Sequence, residues 1–213
     1  MPSTDPAARR PYDASGRQAA ARRNRAAVLR ACREILLTEG VRGATVRAVA
    51  ARAGVSPETV YKTYGNKPGL MKALWDDTLA GDDEPVPMSE RAALRQVWAE
   101  PDVHSKLRLY AAFVTGVHER TATLFSLLGE AGAEVAEVLA EAEAERLIGV
   151  TAFVTHLGAT GMLRDGADPA RESDACWVLT GPQIYTRLTV DRQWRAEDYR
   201  RWLARMLAAG LLG

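Results

Sequence analysis

Cysteine is scarce in this chain. It has two, Cys32 and Cys176, each in an apolar stretch and far from the other, so neither a disulfide framework nor a zinc site is expected. Its three histidines, His104, His118 and His156, have no paired metal-ligand spacing, so no metal is expected either. No apolar run approaches the roughly 20 residues that span a bilayer, which argues against a membrane partner. The opening residues are polar and Arg-rich without an apolar h-region, unlike a secretory signal, and the expected location is cytoplasmic. A phosphate-binding Walker loop, a Gly-x-Ser-x-Gly elbow, a His-Glu-x-x-His helix and a dinucleotide fingerprint are all missing. These gaps count against an enzyme and against a cofactor. Glu141, Glu143 and Glu145 are the obvious carboxylates to consider, but their spacing reads as a solvated helix face. No repeat at solenoid periods is found.

What is present is an ordinary globular composition, 47% hydrophobic and 26% charged over 213 residues, long enough for one domain or two modest ones. The net charge of +1 conceals an asymmetry. Residues 1–80 carry 14 Lys and Arg against 7 Asp and Glu, a net of +7, and residues 81–213 carry 14 against 20, a net of −6. A basic third on an acidic remainder suggests that one part meets a polyanion.

Apolar periodicity is helical almost throughout, and an all-α fold is expected. Residues 1–20, with Pro2, Pro6, Pro11 and Gly16, lack a hydrophobic period and read as a disordered basic arm carrying Arg9, Arg10 and Arg17. From Ala21 to Glu39, Val28, Cys32, Ile35 and Leu36 make one helical stripe that Gly40 ends. Thr45 caps a short second helix and Gly54 breaks it. Ser56 caps a third, with Pro57 in its first turn, and Gly65 ends that one. Asn66 caps a fourth helix that runs to about Leu79, with Leu70, Leu74 and Trp75 on its buried side. The Pro- and acid-rich segment from Gly81 to Ser89 reads as a boundary. Helices are expected beyond it at about 89–99, 102–119, 121–130, 133–159, 168–180, 183–192 and 196–210. The β-branched run Val150 to Val154 is assigned to helix because it continues a long helical pattern and has no partner strand.

Two short helices joined by a tight turn at Gly54 make the plan of a helix-turn-helix, whose second helix enters the DNA major groove. Ser56, Glu58, Thr59, Lys62 and Thr63 face outward on that second helix, and their side chains suit base edges or phosphates. Tyr61 and Tyr64 offer an apolar body with a hydroxyl towards the backbone; a plain core role is the alternative for both. Lys67 opens the next helix, where a cation opposes the helix dipole and a phosphate partner would account for it.

The run Thr45-Val-Arg-x-Val-Ala-x-x-Ala-Gly-Val-Ser-x-x-Thr-Val-Tyr-x-x-Tyr-Gly-Asn-Lys-x-x-Leu70, after a first helix ending Thr-Glu-Gly, resembles the DNA-binding domain of the tetracycline-repressor (TetR) family of bacterial regulators. The resemblance covers residues 21–80. It implies a three-helix helix-turn-helix domain, joined by a fourth helix to a larger helical domain (81–213) for effector binding and dimerisation. It further implies a homodimer, usually a repressor, on a near-palindromic double-stranded operator, released by a small-molecule effector. By alignment, Thr45, Arg47, Tyr61, Tyr64 and Lys67 fall where family members touch phosphates, and Pro57, Glu58, Thr59, Lys62 and Thr63 where they approach bases. The stretch from His156–Leu157 through Gly161–Met162–Leu163–Arg164, with Trp177, Tyr185, Trp194, Tyr199 and Trp202, is similar to C-terminal domains of actinobacterial members. That likeness implies pairing of 168–192 and 196–210 with their symmetry mates. An effector cavity is expected between 102–119 and 133–159. Its candidate contacts are Phe113, Val117, His118, Leu128, Phe153, His156 and Trp177, an apolar cleft with a few polar points. The competing readings are a helical interaction module without DNA contact and an enzyme.

Overall fold

The computed structural model describes residues 14–81 and 86–213. Among the described residues the regular structure is helical throughout, and no helix is long and apolar enough to cross a membrane. Residues 1–13, which hold most of the expected basic arm, lie outside the described residues. The remainder of that arm is helical, because α1 spans Ala14–Gly43 and bends where Gly40 takes φ 69°. The expected stop at Gly40 is therefore a kink with one more turn after it.

The next three helices match their local signals. In α2 (Val46–Ala53) the Thr45 hydroxyl oxygen accepts from the Ala48 N–H, and Gly54 closes the helix at φ 69°. In α3 (Pro57–Tyr64) the Ser56 oxygen accepts from the Thr59 N–H. In α4 (Lys67–Ala80) the Asn66 side-chain oxygen Oδ1 accepts from the Gly69 N–H. Each cap satisfies an N–H left open by the first turn and contributes about 1 kcal/mol. Val28, Cys32, Ile35 and Leu36 of α1 pack on Val46, Val49 and Ala50 of α2, Val60 of α3 and Leu70, Met71 and Leu74 of α4.

That first core does not stop at Gly81. Leu124 and Leu128 of α6 (Val103–Gly129), and Val138 and Ala142 of α7 (Ala136–Ala159), belong to it. The second core is built by α5 (Ala92–Ala99), α6, α7, α8 (Pro169–Leu179), α9 (Pro182–Thr186) and α10 (Ala196–Leu211). At its centre lie Val97, Leu107, Tyr110, Phe153, Leu157 and Cys176. The ring of Phe153 stacks on Tyr110 with centroids 3.7 Å apart.

Several boundaries differ from expectation. The break near Arg120 is absent, and α6 runs unbroken for 27 residues. The Thr121 hydroxyl donates to the Val117 carbonyl 2.9 Å away, a back-bond that keeps a threonine inside a helix. The expected helix 183–192 is α9 followed by a π-helical turn, Arg187–Asp191. Glu143 is not on a solvated face; it is ion-paired with Arg146 at 2.6 Å. Tyr199, Leu203, Leu207 and Leu211 recur every four residues along α10 and face the chain's own core. Tyr185, Leu203 and Leu207, which lie in the segments expected to pair with a symmetry mate, are thus buried within one chain.

Candidate nucleic-acid interface and ligand cavity

One side of the α2–α3 unit is held inward by Val49, Ala50 and Val60, each at most 1% exposed. The opposite side presents Thr45, Arg47, Ser56, Glu58, Thr59, Lys62 and Thr63 to solvent, with Pro57 half-buried. Tyr61 is 50% exposed, large for an aromatic in a monomer. These residues share one surface because α3 is fixed at both ends by its caps. The Ser56 and Thr59 hydroxyls lie 3.2 Å apart, and Thr63 donates to the Thr59 carbonyl at 2.8 Å. The Glu58 carboxyl is held below its usual range by its own backbone N–H and then by Ser56. It stays charged at the positive end of the helix dipole.

Tyr64 behaves differently. Its ring packs on the first core, and its hydroxyl is buried without a protein partner. Burial, its largest influence, pushes that phenol above its usual range. Lys67 is half-buried at the start of α4.

A cavity of about 420 Å³ lies between α4, α5, α6 and α7. Phe113, Val117 and His118 stand on its wall, as expected. Leu128 sits in the first core, Phe153 in the second, and Trp177 beneath Arg146, whose guanidinium lies 4.8 Å from the indole centroid. His156 lies on a shallow groove along the outer face of α7 with Ile148, Thr151 and Thr155. Residues not expected from the sequence also stand on the wall, among them Trp75 and Leu79 from α4, Leu94 and Trp98 from α5, and Arg146 from α7. Only Trp75 left a signal, since one face of α4 carries more apolar bulk than a three-helix domain needs.

Polar groups on the wall are few. Arg146 donates to both oxygens of Glu143, at 3.1 and 2.6 Å, and to the Trp177 carbonyl at 2.7 Å. Glu145 faces Lys72 of α4 at 3.4 Å. His118 Nε2 lies 3.0 Å from the Thr180 carbonyl oxygen. Among the described residues no group of three His, Cys, Asp or Glu side chains could hold a metal ion. Burial pushes the Cys32 and Cys176 thiols up to about 12, so neither supplies a thiolate nucleophile.

No curated protein matches the chain by sequence. The fold is similar to NalD, the secondary repressor of the MexAB-OprM multidrug efflux pump in Pseudomonas aeruginosa. That likeness has a TM-score of 0.69 at 19% identity and covers 91% of this chain and 98% of NalD. It is also similar to the transcriptional regulator FadR from Bacillus subtilis in complex with stearoyl-CoA, with a TM-score of 0.66 at 16% identity, covering 87% of this chain and 98% of that one. The fatty acid degradation regulator FadR from Bacillus halodurans is similar at a TM-score of 0.65 and 15% identity, covering 86% and 94%. Residues 28–74, which span most of α1 through α4, match the bacterial regulatory proteins of the tetR family. Residues 28–74 thus carry the DNA-binding domain of the tetR family of bacterial regulatory proteins, within a fold shared with such regulators.

Proposed function

We propose that the chain acts as a homodimeric, ligand-released repressor on a near-palindromic operator, in the cytoplasm and without enzymatic activity. The observation that carries this reading is the solvent-facing row Glu58, Thr59, Lys62 and Thr63, with half-buried Pro57 beside it, on a helix capped at both ends and anchored by buried Val60. In this reading the row meets base edges while Thr45, Arg47, Ser56, Tyr61 and Lys67 hold phosphates. Tyr64, with its hydroxyl buried, supports the helix rather than touching DNA. Two such helices would lie one helical turn apart, about 34–36 Å, in successive major grooves.

Dimerisation is assigned to the outer faces of α7 and α8, where Ile148 is 71% and Val178 56% exposed. This keeps the expected 168–192 segment and replaces 196–210 with α7. The cavity is read as the effector site, and α4 as the link from it to DNA. Trp75 and Leu79 of α4 line the cavity, and the same helix begins at Lys67 beside α3. An effector that prefers one position of α4 shifts the population between DNA-competent and released forms. A coupling of about 1–3 kcal/mol changes operator affinity about 5- to 150-fold.

The test is titration of the full chain with a duplex from its gene's own upstream region. Affinity should fall steeply between about 50 and 200 mM salt as counterions are released. A chain that binds no such duplex at low salt is not this regulator.

A further inference from the structure

Glu58 is out of place by charge. Between Glu39 and Asp76 the chain carries Arg42, Arg47, Arg52, Lys62, Lys67 and Lys72 and a single acid, Glu58. That acid is exposed in the first turn of α3. Its own backbone N–H, then the Ser56 hydroxyl, keep the carboxyl ionised, and a carboxylate has about four lone-pair sites, so it can accept more. A fixed negative charge on a surface that meets phosphates lowers affinity unless a donor answers it. Lys62 stands at the i, i+4 spacing that favours an ion pair, yet among the described residues neither side chain enters one. The hydroxyls of the row are already engaged. Thr63 donates to the Thr59 carbonyl at 2.8 Å, and those of Ser56 and Thr59 lie 3.2 Å apart. The row therefore offers one charged acceptor and one charged donor outside any ion pair, about 6 Å apart along the helix axis.

We infer that Glu58 reads a cytosine, its carboxylate accepting from the N4 amino group in the major groove, while Lys62 donates to a guanine within about two base pairs. Only cytosine N4 and adenine N6 offer donors in that groove. Adenine sets the N7 lone pair beside N6, which repels a carboxylate; cytosine does not. Guanine and thymine present carbonyl oxygens and are rejected. For Lys62 the same edges reverse, and guanine O6 and N7 are adjacent acceptors. The inference rests on reading α3 as the recognition helix. It adds a requirement, a C·G pair in each half of the operator. The other role open to Glu58, an anion at the positive end of the α3 dipole, would leave no mark on base preference.

Binding-site selection with the full chain on a random duplex pool, followed by affinity measurements at one salt concentration, tests it. Each half of the selected site should contain a C·G pair whose change to T·A weakens the native chain about five-fold or more, the size of one good base contact. Glu58→Ala should lose most of that discrimination. Glu58→Gln should move the preference at that pair to adenine, because an amide bonds N6 and N7 together. A native chain indifferent at every C·G pair of its selected site overturns the inference while operator binding stands, and that comparison needs neither variant. A Glu58→Ala protein that binds all duplexes more weakly by one factor, and keeps the native preference, overturns it too. A pool from which the native chain enriches no duplex at low salt removes the recognition-helix reading itself, and the inference with it.

Discussion

Lys106 Nζ lies 3.1 Å from His156 Nε2 and donates to the carbonyl oxygens of Val97 and Trp98, at 2.9 and 3.0 Å. An ammonium only donates, so His156 Nε2 accepts and that ring is neutral, with its proton on Nδ1. Burial first, then the Lys106 charge, lowers the affinity of His156 for a proton. Lys106 is 1% exposed and closes the end of α5, whose last carbonyls have no helical partners.

Lys106→Met keeps the packing and removes the donors. Leaving two buried carbonyls open should lower the unfolding free energy by about 3 kcal/mol. Urea denaturation followed by tryptophan fluorescence checks this, and an unchanged midpoint would show that water replaces the ammonium without loss.

The stability of the chain should fall on mild acidification. The His118 ring is pushed from 6.5 down to about 4 in the fold, chiefly by burial, and His156 is shifted the same way. Below about pH 6.5 the unfolded chain takes up protons that the folded chain refuses, so stability is full above that value and is lost towards the folded values. His118 alone should cost about 2 kcal/mol between about pH 6.5 and pH 5. Thermal melts at those two values test it; a flat profile would mean that the ring is not held neutral.

Gly69→Ala should be worse than Gly54→Ala. A Cβ at Gly69 would stand 2.1 Å from the Tyr64 carbonyl oxygen, so α3 and α4 cannot keep their approach. At Gly54 a Cβ meets nothing within 4 Å and only the φ of +69° resists, a cost of about 1 kcal/mol. Melting temperatures should separate the two variants clearly, and operator binding should be lost with Gly69→Ala. Equal melting temperatures would refute the close approach.

Arg47→Ala and Lys67→Ala should each weaken binding to all duplexes alike and lower the salt slope by about 0.9. Changes at Thr59 or Lys62 should alter the preferred sequence instead. Salt titrations and binding-site selection read the two effects; an Arg47→Ala protein with the native slope does not lack a phosphate contact.

Ile148→Glu together with Val178→Glu should yield monomers by light scattering and weaken binding to a two-half-site duplex more than to a single half-site. Dimers that persist would move the interface elsewhere.

Helices α2 to α4 were legible because their limits are set locally, whereas α1 starts earlier than expected and runs through Gly40. Thr45, Ser56 and Asn66 cap within three residues of themselves, and Gly54 and Gly65 supply turns that other residues resist. The cavity was legible only in part. Periodicity shows which face of α6 is apolar but not which helix stands opposite. Phe113, Val117 and His118 therefore lie on the wall, whereas Leu128 and Phe153, on equally apolar faces, fill the two cores. Glu143 resembled its exposed neighbours until Arg146 was seen beside it, a pairing on which the Trp177 carbonyl also converges. In the unbroken α6 the Thr121 hydroxyl turns back onto the Val117 carbonyl, a local accommodation that the sequence near Arg120 does not reveal.

Because Leu124, Leu128, Val138 and Ala142 complete the core that α1 to α4 begin, the DNA-reading part is not a detachable module. A fragment cut near Gly81 would expose the apolar flank of α4, Trp75 included, and should melt far below the intact chain. Exchanging sensor halves between relatives at that linker would join mismatched surfaces. A working chimera must carry the C-terminal part of α6 and the first turns of α7 along with the helices that read the operator.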